Sequence, residues 1–215
     1  LSLEAGTMTA IMGPSGSGKS TLLNCLAGLL RPTGGRVRFE GVDLVRAPAR
    51  ELDRLRRTDF GFVFQSYNLI EALNAEQNVL LPTLFTRLPL TSRDARRALA
   101  DVDLDGLERR HPDQLSGGQR QRVAIARAMA VRRKVLFADE PTGALDTDAG
   151  AAVMDDLVRL SESGTAVVVV THDPIVAAYA SEVVFLRAGR VVATAAGATA
   201  AALALRIASL RGAAA

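Results

Sequence analysis

Residues 7–21 of the chain read TMTAIMGPSGSGKST, and this stretch decides the fold. The apolar run from Thr7 to Met12 predicts a buried strand, and a glycine-rich turn follows it directly. The turn matches the G-x-x-x-x-G-K-S pattern of a phosphate-binding loop, and a helical pattern begins at Lys19. An ordinary glycine-serine turn is disfavoured, because the complete pattern stands between a predicted strand and a predicted helix.

Each residue type in this loop suits a triphosphate. Glycines let backbone N–H groups turn inward around phosphates, and the N-terminus of the helix adds positive potential. Lys19 is placed to reach the β and γ phosphates, and the Ser20 hydroxyl to ligate Mg²⁺. The predicted phosphate-binding residues are Gly13, Pro14, Ser15, Gly16, Ser17, Gly18, Lys19, Ser20 and Thr21.

The rest of the chain predicts an α/β fold. Further apolar runs predict strands over 61–64, 135–138 and 165–170, and helical patterns cover 19–29, 49–57, 93–100, 119–130 and 148–160. Thr91 or Ser92 is predicted to cap the third helix, and Asp146 or Thr147 the last. Most of the strand runs are continuously apolar, which favours a mostly parallel sheet covered by helices.

We expect a single domain over residues 1–215 with two distinctive segments. Strand signals disappear between residues 68 and 114, where Pro82, Pro89 and Pro112 punctuate a helical and loop-rich stretch, so an inserted helical lobe is predicted there. Residues 36–43 predict a small hairpin that turns at Gly41. Residues 193–215 form an alanine-rich C-terminal tail.

Composition excludes several classes of protein. The net charge is +3, but 23 acidic and 26 basic residues are interspersed, so no nucleic-acid partner is expected. Cys25 is the only cysteine, which excludes an internal disulfide, disfavours a cysteine metal cluster and fits a reducing cytoplasm. The uncharged stretch 191–205 is shorter than the ~20 residues of a membrane span. No signal segment is apparent, and a first residue of Leu is consistent with a trimmed piece.

Two adjacent carboxylates, Asp139 and Glu140, follow the strand predicted at 135–138. Successive strand residues point in opposite directions, so the pair can divide two tasks. Asp139 suits the coordination sphere of Mg²⁺, and Glu140 suits orienting or deprotonating an attacking water. Alone, the pair could equally be a solvated acidic turn, but the phosphate loop favours the catalytic interpretation.

Gln65 and His172 follow the strands predicted at 61–64 and 165–170. Ligands of open α/β sheets lie outside the carboxyl ends of the strands, so both side chains are expected beside the phosphate loop. The Gln65 amide can serve water or Mg²⁺, and His172 can donate to a γ-phosphate oxygen. His111 has no such placement and is interpreted as an ordinary polar residue.

The sequence LSGGQ at residues 115–119 precedes a helix and forms a second N-terminus that attracts anions. The residues alone leave open whether this second site serves the nucleotide of its own chain or that of a partner.

Taken in order, GPSGSGKST, Gln65, LSGGQ, VLFADEPTGALD and His172 resemble the ABC ATPase family over residues 5–192. The resemblance implies a RecA-like core with an inserted helical subdomain, and ATP and Mg²⁺ as cofactors. It also implies a head-to-tail dimer, in which Ser116 and Gly118 contact the γ-phosphate held by the opposite Lys19. The nucleotide-facing set across that interface would be Ser116, Gly117, Gly118, Gln119 and Asp146.

A finer resemblance, to lipoprotein-release and macrolide-export ATPases and their cell-division relative, rests on PTGALD, FVFQSYNLI and NVLLP. It implies an ATPase at the cytoplasmic face that powers a separate membrane permease, paired as a homodimer or a heterodimer. The alternative is a regulatory ATPase of the cell-division type that signals without transport. Chromosome and DNA-repair ATPases are disfavoured, because they need a much longer insertion.

The start of the chain departs from this family pattern. Relatives carry a leading strand pair and an aromatic residue that stacks on adenine, whereas this chain opens at what resembles the end of that region. We therefore expect the chain as given to bind ATP weakly and with little preference over GTP. Arg133 stands where many relatives have proline, outside the site.

Overall fold

The structure is a computed structural model that describes residues 1–64, 66–85, 90–143 and 145–212. Its centre is a six-stranded sheet in the order β4-β5-β6-β1-β7-β8, parallel throughout except for the antiparallel pair β7–β8. The strands are β1 Met8–Met12, β4 Phe60–Val63, β5 Val135–Asp139, β6 Ala166–Thr171, β7 Glu182–Arg187 and β8 Arg190–Ala196, and a separate hairpin pairs β2 Arg38–Phe39 with β3 Val42–Asp43. The predicted α/β class is confirmed.

Helices cover both faces of the sheet. They are α1 Lys19–Leu26, α2 Ala49–Thr58, α3 Ala75–Leu80, α4 Ser92–Ala100, α5 Gly117–Met129, α6 Thr147–Glu162, α7 Pro174–Ala177 and α8 Ala200–Gly212, with 3-10 turns at Leu81–Leu84 and Pro112–Gln114. On β6, Val167 and Val169 pack on one face of the sheet, and Val168 and Val170 on the other. This burial on both faces explains the continuous apolar strand runs.

The helix ends follow from local capping chemistry. Thr91 caps α4 by accepting from the Asp94 N–H at 3.3 Å, and Asp146 caps α6 by accepting from the Ala149 N–H at 2.8 Å. The helix predicted over 19–29 ends earlier, at Leu26, because Gly28 adopts a left-handed φ of 63° that stops a helix.

The inserted segment is helical, as its pattern predicts. One asparagine holds the loop at the start of this segment in place. The fully buried Asn78 on α3 accepts from the Ile70 N–H at 2.8 Å and donates to the carbonyls of Ile70 and Leu73. Helices α3, α4 and α5 share a buried apolar cluster there. The limits 68–114 remain a prediction.

The C-terminal third contains elements that the sequence patterns did not reveal. The strands β7 and β8 extend the sheet beyond β1, and residues within 193–212 form the end of β8 and all of α8. Alanine has the highest intrinsic helix propensity, and Leu203 and Ile207 bury one side of α8. In the parts of the chain that are described, no helix is long and apolar enough to cross a membrane.

Candidate active site

The phosphate-binding loop follows β1 and is enclosed by the β7–β8 turn. A side chain at Gly13 could not fit, because its Cβ would clash with the Leu186 carbonyl oxygen and lie 2.6 Å from Ser17 Oγ. The Gly189 N–H donates to the Ser17 carbonyl at 2.9 Å. Gly16 and Gly18 adopt left-handed φ angles of 76° and 95°, which glycine tolerates without strain.

The first turn of α1 is open to an anion. Its N-cap, Gly18, makes no side-chain capping hydrogen bond, so the N–H groups of the turn can serve a phosphate. Lys19 Nζ donates to the carbonyls of Gly13, at 2.9 Å, and Pro14, at 3.1 Å, which holds the ammonium against the loop. The arrangement suits a bound triphosphate.

A pair of hard oxygen donors joins α1 to the end of β5. Ser20 Oγ donates to Asp139 Oδ1 at 3.2 Å, so hydroxyl and carboxylate can serve one cation. Burial raises the pKa of Asp139, the Ser20 hydrogen bond opposes this, and the charges of Glu140 and Lys19 make smaller contributions of opposite sign. No cluster of three or more His, Cys, Asp or Glu ligands exists among the described residues. The donor set fits Mg²⁺, which commonly uses one or two protein ligands together with phosphates and water.

Glu140 is held in place by β6 and the residue that follows it. Its backbone is left-handed, with φ 48°, and its N–H donates to the Val170 carbonyl at 2.9 Å. Its carboxylate accepts from Thr171 Oγ1 at 3.2 Å and lies 2.7 Å from His172 Nδ1. The Glu140 side chain is 16% exposed and that of His172 is 64% exposed. This geometry presents a fixed carboxylate with an accessible imidazole beside it.

The structure brings most of the predicted residues to one edge of the sheet. The strands β5, β6 and β1 are neighbours, so Asp139, Glu140, His172 and the loop from Gly13 all lie at their carboxyl ends. Gln65 lies outside the described residues, although it follows β4, the next strand in the sheet. His111 lies elsewhere, where it precedes the 3-10 turn Pro112–Gln114.

The LSGGQ segment forms a separate, closed N-terminus. Ser116 Oγ accepts from the Gln119 N–H at 3.2 Å, and the Gln119 side chain accepts from the Ser116 N–H at 2.9 Å. Ser116 is exposed, and Gly118 faces Leu145, whose side chain would lie 3.4 Å from a Cβ at Gly118. In the described parts of the chain, no hydrogen bond joins residues 116–119 to residues 13–21.

Sequence reasoning missed two supports of the site. Thr171 is buried and fixes Glu140, and it could have been suspected because it directly precedes His172 on a strand. Gly189 fixes the phosphate loop from a turn whose signal was readable. The apolar runs on either side of Ala188 and Gly189 are typical of a hairpin.

Comparison with known proteins agrees with this geometry. A sequence model described as ABC transporter matches residues 1–143. The macrolide export ATP-binding/permease protein MacB of Neisseria gonorrhoeae is 46% identical over 194 residues, which cover 89% of this chain and 30% of MacB. The ABC transporter ATP-binding protein YknY of Bacillus subtilis is 44% identical, with 92% of this chain and 86% of YknY covered. This chain thus spans about 30% of the MacB relatives it matches.

Solved structures of ATP-binding cassettes also match this chain. The ATP-binding cassette MJ0796, in a dimeric post-hydrolysis state bound to ADP and Pi, superimposes with a TM-score of 0.85 at 41% identity, covering 92% of this chain and 88% of that one. A second dimeric structure, described as a bacterial ABC transporter cassette, gives a TM-score of 0.86. The chain therefore belongs to the ABC transporter family, of which it is an ATP-hydrolysing cassette.

Proposed function

We propose that this cassette is the motor of a transporter: ATP hydrolysis at the strand edge drives an integral-membrane permease that exports or extracts a substrate at the cytoplasmic face. The observation that carries the proposal is a groove at the edge strand β4, lined by aromatic, apolar and arginine side chains. The groove, of about 650 Å³, runs between the edge strand β4 and the 3-10 turn of the helical segment. Its lining combines apolar side chains with four arginines: Phe62, Phe64, Leu81, Pro82, Phe85, Arg56, Arg57, Arg127 and Arg133.

The chemistry is assigned to the residues at the strand ends. The loop from Gly13 to Thr21, with Lys19 as its cation, binds the triphosphate. Ser20 and Asp139, with Gln65, would hold Mg²⁺, which would supply charge neutralisation at the phosphates.

Glu140 orients the attacking water and accepts its proton; the support is that Thr171 and His172 hold its carboxylate at the carboxyl end of β5. His172 steadies Glu140 through Nδ1. His172 is also the proposed donor to a γ-phosphate oxygen.

Completion of the site requires a second cassette. Ser116 to Gln119 make no hydrogen bond to the phosphate loop of their own chain within the described residues, yet Ser116 is exposed at a helix N-terminus. MJ0796 is a dimer in its solved structures. We therefore propose a head-to-tail pair in which Ser116, Gly117, Gly118 and Gln119 serve the nucleotide of the opposite chain, with Asp146 at the interface. The pair can be a homodimer or a heterodimer.

The groove has the features expected of a docking site for a short cytoplasmic helix of the permease. Leu84 and Phe85 are 74% and 61% exposed beside it, an unusual position for large apolar side chains. The groove borders β4, which leads to Gln65, so an occupant would contact the segment that approaches the nucleotide. The permease can be a separate subunit or part of the same polypeptide, as the name of MacB indicates for that relative.

The test is reconstitution in lipid vesicles with the permease segment that this cassette serves. We expect the permease to stimulate ATP hydrolysis. Phe85→Asp should remove the stimulation and leave the basal rate unchanged, whereas Leu205→Asp on α8, 75% exposed and outside the groove, should have no effect. Stimulation that survives Phe85→Asp would overturn the docking site. Stimulation without transport of any substrate would favour the regulatory alternative.

A further inference from the structure

Two arginines of α5 reach across to the segment that follows Gln65. Arg127 donates through Nη1 to the Asn68 carbonyl at 2.7 Å and through Nη2 to the Tyr67 carbonyl at 3.0 Å. The Arg120 guanidinium lies over the Tyr67 ring, 5.5 Å from its centroid, within the range of a cation–π interaction. The helix that begins at Ser116 therefore holds the chain immediately after β4.

The segment that these arginines hold has an unusual backbone. Tyr67 and Asn68 have left-handed φ angles of 61° and 47°, a conformation that costs non-glycine residues free energy and persists only when the surroundings impose it. The local bonds are short-range: the Tyr67 N–H donates to the Phe64 carbonyl at 3.0 Å, and the Asn68 N–H to the Ser66 carbonyl at 2.6 Å. The long-range hydrogen bonds to the carbonyls of Tyr67 and Asn68 come from Arg127.

A role in core packing does not explain why an arginine stands at position 127. Burial lowers its pKa, which reports a desolvated cation, and within the described residues it forms no ion pair with a carboxylate. Desolvating a cation without a counter-charge is unfavourable. Arg127 also lines the groove proposed for the permease. Its side chain thus contacts the segment after Gln65, belongs to the LSGGQ helix and faces the docking groove.

We infer that Arg127, assisted by Arg120, is a positioning residue that makes the segment 66–68 and α5 move as one body. Displacement of the segment 66–68 on nucleotide binding then reorients Ser116, so the occupancy of one site controls the donors that its chain presents to the opposite site. The inference rests on the proposed head-to-tail dimer. It assigns Arg127 no contact with ATP.

The experiment measures ATP-driven dimerisation separately from ATP binding. Glu140→Gln serves as the background, so that ATP is retained, and dimer formation is followed by analytical ultracentrifugation over an ATP titration. We expect Arg127→Met to raise the ATP concentration for half-maximal dimerisation by about tenfold or more, or about 1.4 kcal/mol. Binding of a fluorescent ATP analogue to the single chain should stay unchanged. Arg127→Lys keeps the charge but lacks the forked pair of donors, so its shift should be intermediate.

Arg122→Met is the matched control. Arg122 lies on the same helix and donates, at 3.4 Å, to the Val102 carbonyl, outside the segment 66–68, so dimerisation should be unaffected. Normal dimerisation of both Arg127 variants would overturn the inference and leave the dimer intact. If Glu140→Gln alone fails to dimerise with ATP, the proposed dimer itself fails. If Arg127→Met does not fold, Arg127→Lys decides, and a folded lysine variant with the background's dimerisation curve overturns the inference.

Discussion

The helices α1 and α5 both begin at glycine-rich motifs, yet their N-termini are finished differently. The N-cap of α1 is Gly18, which offers no side chain, and the turn is left to be completed by a ligand. The N-cap of α5 is Ser116, which forms a reciprocal capping box with Gln119. The first terminus leaves its N–H groups available to the nucleotide that we propose binds there. The second is capped by its own side chains and has an exposed serine, which the proposed site between two chains would use.

Neither of the two helix termini supplies the base for hydrolysis, so nucleotide binding and the chemical step should be separable. Glu140→Gln should give the largest effect of the variants considered. The substitution keeps the hydrogen bond from Thr171 but removes the base, so we expect turnover to fall by about 10²–10⁴-fold with ATP affinity retained. Steady-state hydrolysis and equilibrium binding measure the two effects. Glu162→Gln, at an exposed position at the end of α6, is the control. A Glu140→Gln variant that hydrolyses ATP at nearly the normal rate would remove Glu140 from the mechanism.

ATP binding at the open terminus of α1 is expected to depend on Lys19, and a second lysine provides a control. Lys134 is the only other lysine and pairs with Glu40 and Asp59, away from the loop. We expect Lys19→Ala to weaken ATP binding by roughly tenfold to hundredfold, since a hydrogen bond from a charged group contributes about 1.5–3 kcal/mol. Lys134→Ala should leave the affinity unchanged. Calorimetric titration distinguishes them, and equal losses in both variants would contradict the assignment of Lys19.

Mixing two inactive variants tests whether the closed terminus of α5 acts on the opposite chain. Lys19→Ala damages the loop, and Ser116→Arg places a bulky cation at the LSGGQ terminus. An equal mixture should recover up to about a quarter of normal hydrolysis, because half of the dimers would be mixed and each would keep one of two sites intact. Hydrolysis rates before and after mixing are the measurement. No recovery, despite heterodimers demonstrated by a tag on one chain, would show that Ser116 serves its own chain.

The strand-end residues could be predicted from sequence for a topological reason. In a parallel sheet the carboxyl ends of neighbouring strands share one edge, so adjacency in the sheet brings Asp139, Glu140 and His172 to the phosphate loop. The direction of a side chain and the partners of a backbone carbonyl leave no such signature. The hydrogen bonds from Arg127 to the carbonyls of Tyr67 and Asn68 are therefore seen only in the three-dimensional structure.

The C-terminal strands β7 and β8 were not predicted, although the sequence carries a signal for them. The apolar runs 183–186 and 191–192 flank the pair Ala188-Gly189, which is an ordinary hairpin signal. The segment 193–215 is predicted to be a tail because its composition is rich in alanine. Tertiary packing decided otherwise, because the antiparallel pairing with β7 and the burial of Leu203 and Ile207 order a sequence of weak hydrophobicity.

The smallest predicted effect has opposite signs with and without nucleotide, and it concerns Asp139. Burial, the largest cause, raises its pKa in the folded chain, with the Glu140 charge adding to this and Ser20 and Lys19 opposing it. A carboxyl with a raised folded pKa binds protons more readily in the native state. Its contribution to stability is therefore fully present below the unfolded pKa and is lost as the pH rises through the folded pKa.

At neutral pH the ionised Asp139 thus destabilises the chain in the absence of ligand. We expect Asp139→Asn to raise the thermal midpoint slightly at about pH 7.5 and to lose this advantage at about pH 4, where the aspartate is increasingly protonated. With Mg²⁺ and ATP added, the wild type should gain more stability than the variant, because stabilisation by a ligand grows with its affinity for the native state. Asp155→Asn, at an exposed position on α6, controls for the loss of a surface charge. A lower midpoint for Asp139→Asn without ligand would mean that the Ser20 hydrogen bond outweighs the burial of the carboxylate.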